Sequence, residues 1–432
     1  MHLPGEPRAA PASGITGANP GRIEADYILE TTQDPNEVAT LMAGEQSSGT
    51  FVALPTETQE LKERVAARVE SLTPLDEIPV APVATRTDQQ RVNRATVTLS
   101  WSVDSVDTSL PNLMATVAGN LFELNQLSGL RIVDLRLPES FATTYAGPKF
   151  SIEGTRRLTG VDHRPIVGTI VKPSVGLSPE ETGDLVRELC EAGIDFIKDD
   201  ELQADAPLSR FEERAQFVMR AINDHAERTG KKVMYAFNVT GDLDQMRRRH
   251  ETVVNLEGTC VMASLNSVGL VGMIELGRFA EVPIHAHRNG WGYLSRCPTV
   301  GWSYTAWQKV WRLAGADHLH VNGLDSKFAE ENESVIESAR TCLTPMFATN
   351  PCLAMPVFSS GQTVRQPPAT YEALGSIDLI YAAGGAVMAH PDGPQAGVAS
   401  LKDAWDAAMA GVPLDVYALD HTPLARALDA FT

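Results

Sequence analysis

Short apolar runs alternate with amphipathic stretches through the C-terminal part of the chain, beginning near Ile166. The runs are residues 166–171, 196–198, 233–240, 260–265, 283–288, 318–321, 354–360 and 379–386. Helical patterns lie between them, among them residues 179–192, 211–227, 305–313 and 333–340. Strands that alternate with helices in this way predict an α/β fold, a (β/α)8 TIM barrel. The alternative is an open doubly wound sheet, but the chain lacks the Gly-rich fingerprint of that fold.

The preceding residues have a mixed pattern. Strand-like residues 94–101 and 130–137 flank a helical stretch at 110–127, and a second helix is predicted over 56–72. This order indicates a small N-terminal α+β domain of ferredoxin-like type. The predicted organisation is a disordered extension at 1–21, rich in Ala, Pro and Gly, then the α+β domain at 22–147 and the barrel at 148–432.

Charge and cysteine content narrow the class of function. The chain has 55 acidic and 36 basic residues, a net charge of −19, which argues against nucleic-acid or anionic-membrane partners. No apolar run reaches the 18 residues of a membrane-spanning helix. The five cysteines form no CxxC pair, so neither a disulfide framework nor a zinc site is expected. A cytoplasmic protein fits these features.

A cluster of charge closes the second apolar run. Lys198 is followed directly by Asp199, Asp200 and Glu201. Acids at the end of a buried strand are costly unless they bind something, and a hard divalent cation that prefers oxygen ligands is the leading interpretation. A solvated acidic turn remains the alternative, because charge runs usually face water.

Polar residues close nearly every other run as well. Because the βα loops form the mouth of a barrel, strand ends are the expected place for reactive side chains. These residues are Lys172, Lys198, Asp200, Glu201, Asn238, Thr240, Asn266, His287, Arg288, His320, Ser359, Ser360, Gly384 and Gly385.

For several of these residues, and for Lys327 in a loop, a non-functional interpretation remains beside the functional one. Lys172 could be a proton shuttle or a surface lysine, and Lys327 could reach over a substrate from its loop or simply be solvated. Gly384 and Gly385 could cradle a phosphate or form a tight turn, and a single histidine such as His320 is more often a core residue.

Several motifs together resemble one known family. They are Gly168-Thr169-Ile170-Val171-Lys172-Pro173, Gly176-Leu177-Ser178, Asp195-Phe196-Ile197-Lys198-Asp199-Asp200-Glu201, His285-Ala286-His287-Arg288 and Asp317-His318-Leu319-His320. In this order they resemble the large-subunit superfamily of ribulose-bisphosphate carboxylase (Rubisco), from about Ile23 to Ala427.

The resemblance implies roles for particular residues. Lys198 would be carbamylated by CO2 and would bind Mg²⁺ together with Asp200 and Glu201. Lys172 would move protons with the assistance of His287, and Lys327 would reach over the substrate. The implied phosphate and substrate contacts are Gly384, Gly385, Arg288, His320 and Ser360, with Glu45, Thr50 and Asn120 supplied by a neighbouring subunit of a homodimer or of a larger assembly of dimers.

Departures from the carboxylase pattern indicate a different reaction. Ser174 stands where family carboxylases carry a second lysine, and Phe51 where they carry a tryptophan. The segments at Trp291 and Gln362 differ as well. A neutral hydroxyl at 174 cannot replace a cation that would stabilise charge formed on carboxylation. The chain is therefore most similar to the Rubisco-like proteins, which do not fix CO2.

The predicted function is Mg²⁺-dependent enolisation of a phosphorylated keto-sugar or keto-sugar acid. Isomerisation, decarboxylation or cleavage would follow, on a substrate of methylthioribulose-phosphate or 3-oxo-isoapionate-phosphate type. The alternatives are a true ribulose-bisphosphate carboxylase and a non-catalytic structural or regulatory homologue.

Overall fold

The chain forms two compact units in a computed structural model that describes residues 21–49, 54–79 and 91–431. The first unit contains the described residues up to 145, together with 297–309 and 344–352. The second contains residues 146–296, 310–343 and the described residues from 353 onward. Residues 1–20, Thr50 and Phe51 lie outside the described ranges, so the predictions made for them are not tested.

The strands in the described ranges are β1 Arg22–Thr31, β2 Arg68–Pro79, β3 Arg91–Ser102, β4 Gly129–Arg136, β5 Ile166–Ile170, β6 Phe196–Lys198, β7 Met234–Asn238, β8 Cys260–Ser264, β9 Ile284–His287, β10 Val300–Trp302, β11 His318–Asn322, β12 Met355–Phe358 and β13 Ile380–Ala382.

The α-helices of the same ranges are α1 Pro35–Glu45, α2 Gln59–Val65, α3 Val103–Val106, α4 Leu110–Val117, α5 Ser140–Thr144, α6 Ser151–Thr159, α7 Pro179–Glu191, α8 Phe211–Thr229, α9 Leu243–Asn255, α10 Leu265–Phe279, α11 Trp291–Ser295, α12 Tyr304–Leu313, α13 Asn332–Cys342, α14 Pro367–Leu374, α15 Gly384–Met388, α16 Gly393–Ala410, α17 Leu414–Tyr417 and α18 Thr422–Ala430. None of them is both long and apolar enough to cross a membrane.

The first unit is built on a mixed sheet with strand order β10-β4-β1-β3-β2. Strands β1 to β4 pair antiparallel in the βαββαβ order of a ferredoxin-like domain, as predicted. The short strand β10 adds to β4 in parallel and comes from the segment 297–309, far along the chain. Alternating side chains of β1 and β3, such as Tyr27, Leu29 and Leu99, are fully buried.

The second unit contains a closed parallel barrel, which confirms the predicted fold. Its strand order is β11-β12-β13-β5-β6-β7-β8-β9, and all of these strands lie within the described range 91–431. The barrel encloses an apolar cluster of buried side chains, with the buried rings of His285 and His318 packed against Phe196. The apolar cluster includes Ile166, Phe196, Met234, Cys260, Met262, Met355, Val357 and Ile380.

Local sequence explains how several outer helices begin. Ser178 caps α7 by accepting a hydrogen bond from the backbone of Glu181, whose carboxylate accepts one from Ser178 N in return. Asp242 and Gln245 form the same box at α9. These caps fix where the loops after β5 and β7 end.

Three predicted elements have different limits. The helix predicted over 56–72 is wrong beyond Val65, because Arg68–Pro79 is a strand paired with β3. The helix predicted over 110–127 ends at Val117 and is followed by the 3-10 turn Leu121–Glu123, since Gly119 has a φ of +34°. The run 379–386 is not all strand, because Gly384 and Gly385 begin α15.

Candidate active site

The ends of β5 and β6 bring the predicted metal ligands beside Lys172. Ile170 pairs with Lys198 in the parallel register, so Lys172, two residues further on, lies next to the acidic cluster. Lys172 Nζ is 2.7 Å from Asp200 Oδ2 and 2.8 Å from Ser174 Oγ. Lys198 Nζ is 3.5 Å from Glu201 Oε2.

Burial and charge act on these groups in opposite directions. Burial lowers the pKa of Lys198, although Glu201, Asp200 and Asp199 oppose the shift. Burial alone would raise the pKa of Asp200, but hydrogen bonds from Lys172, the Leu202 backbone and Ser174 outweigh it, and the pKa is lowered. Both effects favour a lysine that loses its proton more easily than usual beside a carboxylate that stays ionised.

Asp199, which lies between Lys198 and Asp200 in the sequence, has a structural role. Its Oδ1 accepts from Tyr235 OH at 2.6 Å, and its Oδ2 accepts from Asn238 N at 2.8 Å. The fully buried Arg214 places Nε 3.3 Å from Asp199 Oδ1. Asn238 Nδ2 donates to the carbonyl oxygens of Asp200 and Glu201 at 3.3 and 3.2 Å. The acidic segment is thus held by β7 and α8, and both carboxylate oxygens of Asp199 are used in these contacts.

Replacing Asp199 with alanine is expected to destabilise the protein by about 3 to 5 kcal/mol, because the charge of Arg214 would stay buried without its partner. Urea unfolding monitored by circular dichroism measures this loss as a shift of the unfolding midpoint. Asp184→Ala is the matched control, since that side chain is 61% exposed and its ion pair with Arg187 is worth at most about 1 kcal/mol. Equal midpoints for the two variants would contradict the role given to Asp199.

His287 faces the same cluster from the end of β9. Its Nε2 lies 3.6 Å from Glu201 Oε2. Its Nδ1 lies 3.2 Å from Asn289 N and 3.3 Å from Asn289 Oδ1, so Asn289 holds the ring in place in either tautomer. Burial, with a further contribution from the charge of Lys198, lowers the pKa of His287 to about 4. The imidazole is therefore neutral near pH 7.

His320 is engaged at both ring nitrogens. Its Nε2 is 2.7 Å from Nε2 of His285, and its Nδ1 is 3.0 Å from Ser359 Oγ. Burial lowers the pKa of both histidines well below the usual value. A neutral His320 can orient a ligand or a hydroxyl but brings no positive charge.

Arg288 is paired with an acid that the sequence did not single out. Its Nη2 donates to Glu330 Oε2 at 2.6 Å, and Asn322 Nδ2 donates to the same oxygen at 2.6 Å. Ser360 Oγ donates to Asn322 Oδ1 at 3.1 Å. Arg288, Ser360 and the loop after β11 therefore form one hydrogen-bonded group.

Lys327 is placed by its backbone beside the end of β12. Lys327 N donates to Ser360 O at 3.2 Å, whereas its ammonium lies 5.3 Å from the centre of the Phe328 ring. Gly384 and Gly385 open α15, and a Cβ at Gly385 would meet no atom within 4 Å. Open space beside this backbone leaves room for a ligand.

Glu45 and Asn120 lie in the first unit, whereas the other described candidates lie in the second. Asn120 Nδ2 donates to Glu45 Oε1 at 3.3 Å, so these distant residues form one polar pair. Their predicted contribution to a neighbouring subunit stays a prediction, and Thr50 lies outside the described residues.

The donor set suits a hard cation best if Lys198 takes part, because two carboxylates alone leave most positions to water or substrate. No group of three His, Cys, Asp or Glu side chains in the described ranges could hold a metal ion. Asp200 and Glu201 would supply two oxygen ligands, and a carbamate on Lys198 would supply the third. A lysine fully buried between acids fits this use better than it fits a solvated turn.

Several residues of the site were missed in the sequence. Glu330 and Asn322 were not assigned, and neither was the contact of Ser359 with His320. The Asn322-Gly323 pair indicates a turn, and Asn322 indeed has a φ of +67°. Nothing local indicates that Glu330 would pair with Arg288, 42 residues away.

Two family models cover most of the chain. The N-terminal domain of the ribulose bisphosphate carboxylase large chain matches residues 25–141, and the catalytic domain matches residues 151–431. The chain belongs to the Rubisco large-chain family. The resemblance expected from the motifs is thereby confirmed, with the barrel and the N-terminal domain in the expected order.

Relatives of this family member carry more specific names. The 3-oxo-isoapionate-4-phosphate transcarboxylase/hydrolase of Xanthobacter autotrophicus is 58% identical over 94% of this chain and 98% of its own length. The 3-oxo-isoapionate-4-phosphate decarboxylase of Rhizobium etli is 43% identical over 95% of this chain and 99% of its own length. A crystal structure of a rubisco-like protein from Burkholderia fungorum matches with a TM-score of 0.89 and 46% identity, covering 95% of this chain and all of that one. The prediction of a Rubisco-superfamily enzyme is confirmed at this level.

Proposed function

We propose that this protein is a Mg²⁺-dependent Rubisco-like enzyme that acts on a phosphorylated 3-oxo sugar acid of the 3-oxo-isoapionate 4-phosphate type. The observation that carries the proposal is the contact of Lys172 with Asp200, 2.7 Å, beside Lys198 and Glu201. This contact places Lys172, which could carry protons, beside Asp200, one of the carboxylates that would bind Mg²⁺. The relative at 58% identity favours transcarboxylation and hydrolysis over simple decarboxylation.

The chemistry suits these residues. A 3-oxo acid carries its ketone β to the carboxylate, so breaking the bond between the carboxylate carbon and its neighbour releases CO2 and leaves an enolate, which is an enediolate in a sugar acid whose neighbouring carbon bears a hydroxyl. In transcarboxylation the released CO2 bonds to the former ketone carbon, and the neighbouring carbon becomes the new ketone. Water then adds to that ketone and the bond between the two carbons breaks, which gives two carboxylic acids. Lys198, Asp200 and Glu201 would hold Mg²⁺, which when bound stabilises negative charge on the substrate oxygens. Lys172 would carry the proton to and from the adjacent carbon. Neutral His287 would orient the substrate through Nε2, the ring nitrogen that faces Glu201.

The far end of the site favours a single phosphate. Glu330 offsets the charge of Arg288, and His320 is neutral, so this end is poorly suited to a second dianion. A carboxylate or hydroxyl group could instead bind to Arg288 and Ser360. The phosphate would bind at Gly384 and Gly385, together with Thr50 of a neighbouring subunit.

The other predicted functions are less well supported. Ser174 accepts a hydrogen bond from Lys172 where a carboxylase would carry a cation, which disfavours ribulose bisphosphate carboxylation. The relatives at 58% and 43% identity act on another substrate than methylthioribulose phosphate. We retain a homodimer as part of the proposal, with Glu45 and Asn120 reaching the partner's site. A cytoplasmic location fits the five cysteines, which are all free.

Synthetic 3-oxo-isoapionate 4-phosphate, labelled with 13C in its carboxylate, tests the proposal directly. With Mg²⁺ we expect turnover in which the label stays in an organic acid, because transcarboxylation followed by hydrolysis retains that carbon. Release of the label as CO2 would identify a decarboxylase instead. The reaction can be followed by 13C and 31P NMR.

Two comparisons complete this test. Ribulose 1,5-bisphosphate with labelled CO2 should give negligible phosphoglycerate, and robust incorporation would decide for the carboxylase. Glu330→Gln removes the charge that offsets Arg288 and should tighten inhibition by bisphosphates about tenfold or more, since a hydrogen bond to a charged group is worth about 1.5 to 3 kcal/mol and about 1.4 kcal/mol is tenfold. Glu331→Gln, one residue further, is the matched control.

A further inference from the structure

The loop that carries Lys327 is held by a buried glutamine at the neighbouring strand end. Gln362 is only 2% exposed, and its Nε2 donates to Leu324 O at 3.0 Å. On its other side, Tyr381 OH lies 3.5 Å from Gln362 Oε1 and donates to Thr363 O at 2.7 Å. One side chain therefore links the loop after β11 to β13.

Gly323 is shaped to accept this glutamine. A Cβ at position 323 would lie no more than 2.5 Å from Cδ, Nε2 and Oε1 of Gln362, which is sterically impossible without displacing the amide. The φ of Gly323 is not positive, so the backbone itself would tolerate alanine. The glycine is required by the glutamine and not by the turn.

Two backbone contacts extend the same junction to the catalytic candidate. Lys327 N donates to Ser360 O. The stem of Lys327 also lies against Gly361, because a Cβ built at position 361 would lie 3.6 Å from Lys327 N and 3.8 Å from Lys327 Cβ. Residues 360–362 thus contact the loop at Leu324 and again at Lys327. The intervening residues Asp325 and Ser326 are exposed or half-buried and have no such support from this segment.

We propose that Gln362 is a positioning residue that fixes the 323–327 segment and so sets the reach of the Lys327 ammonium over the substrate. The hydrogen bond to Leu324 anchors the base of the loop, and the amide fills the volume that Gly323 leaves. The part concerning substrate rests on the proposed function and on the role over the substrate that the family resemblance implies for Lys327. The anchoring itself does not.

Hydrogen–deuterium exchange of the whole protein tests the anchoring without any substrate. In Gln362→Ala, amide exchange across residues 323–328 should rise about tenfold or more, because a local opening loses its main buried contact. Gly323→Ala should give a similar rise by displacing Gln362. The double variant should exchange no faster than Gln362→Ala alone, since the clash disappears with the amide.

Gln245→Ala is the matched control, because that side chain serves only the start of α9 and should leave exchange at 323–328 unchanged. Gln362→Glu keeps the shape but removes the Nε2 donor, so it separates the hydrogen bond from packing and guards against a misfolded alanine variant. Unchanged exchange at 323–328 in both Gln362 variants would overturn the proposal.

Kinetics test the link to Lys327. With 3-oxo-isoapionate 4-phosphate, Gln362→Glu should lower kcat for product formation about 10- to 100-fold, as expected when a catalytic group is misplaced by about 1 Å. Proton exchange of the substrate with D2O, assigned to Lys172, should change less than about twofold. Faster loop exchange with unchanged kcat would overturn the positioning role. If wild-type protein turned over no such substrate, the proposed function would fail, while the exchange data would still decide the anchoring.

Discussion

Lys198→Ala is expected to lower turnover by at least about 1,000-fold, because electrostatic stabilisation of developing negative charge is usually the largest catalytic contribution. Lys198 is 1% exposed and lies 3.5 Å from Glu201 Oε2, and a carbamate on its Nζ would be the third oxygen ligand of the site. Removal of Mg²⁺ with EDTA should cause a comparable loss. Steady-state rates with and without preincubation in CO2 and Mg²⁺ measure both effects.

Direct observation of the carbamate separates this prediction from a general loss of structure. Wild-type protein in 13C-labelled bicarbonate and Mg²⁺ should show a carbamate resonance that is absent from Lys198→Ala and from Lys198→Arg. Lys232→Ala, at a half-buried lysine paired with an exposed acid, is the matched control and should retain both the resonance and activity. Full activity of wild-type protein in EDTA would refute the metal requirement.

Lys172→Met is expected to reduce deuterium incorporation into the substrate by about 100- to 10,000-fold, the range typical of losing a positioned general acid or base. Methionine retains most of the side-chain length but has no exchangeable proton. Because Lys172 also donates to Asp200, its loss removes one of the hydrogen bonds that keep the Asp200 pKa low. Proton NMR of the substrate in D2O follows the exchange.

Ser174→Ala separates the two contacts of Lys172. This variant removes the 2.8 Å hydrogen bond to Ser174 Oγ but leaves the bond to Asp200, so deuterium incorporation should fall less than about tenfold. Binding of Mn²⁺ as a spectroscopic probe should persist in Lys172→Met, which would show that the acidic cluster is intact. Undiminished exchange in Lys172→Met would assign the proton transfer to another residue.

Much of the fold could be predicted because strand and helix periodicity is local. Apolar runs that are buried on both faces, such as the one ending at Lys198, are continuous and easily recognised. Prediction was poorest where tertiary pairing overrides local pattern. Residues 68–72 match a helix as well as a strand, and only their pairing with β3 makes them a strand. Strand β10 is three residues long and exists because β4 offers it an edge.

The sequence by itself determined the family, the order of the strand ends and the residue types at the candidate site, since each depends on motifs only a few residues long. The tertiary structure decided which of these residues meet. Glu330 pairs with Arg288, His285 with His320, and Gln362 with Leu324, and each pair joins separate βα units of the barrel. Such contacts depend on how neighbouring strands are placed in the closed barrel, so no local pattern of hydrophobic and polar positions specifies them.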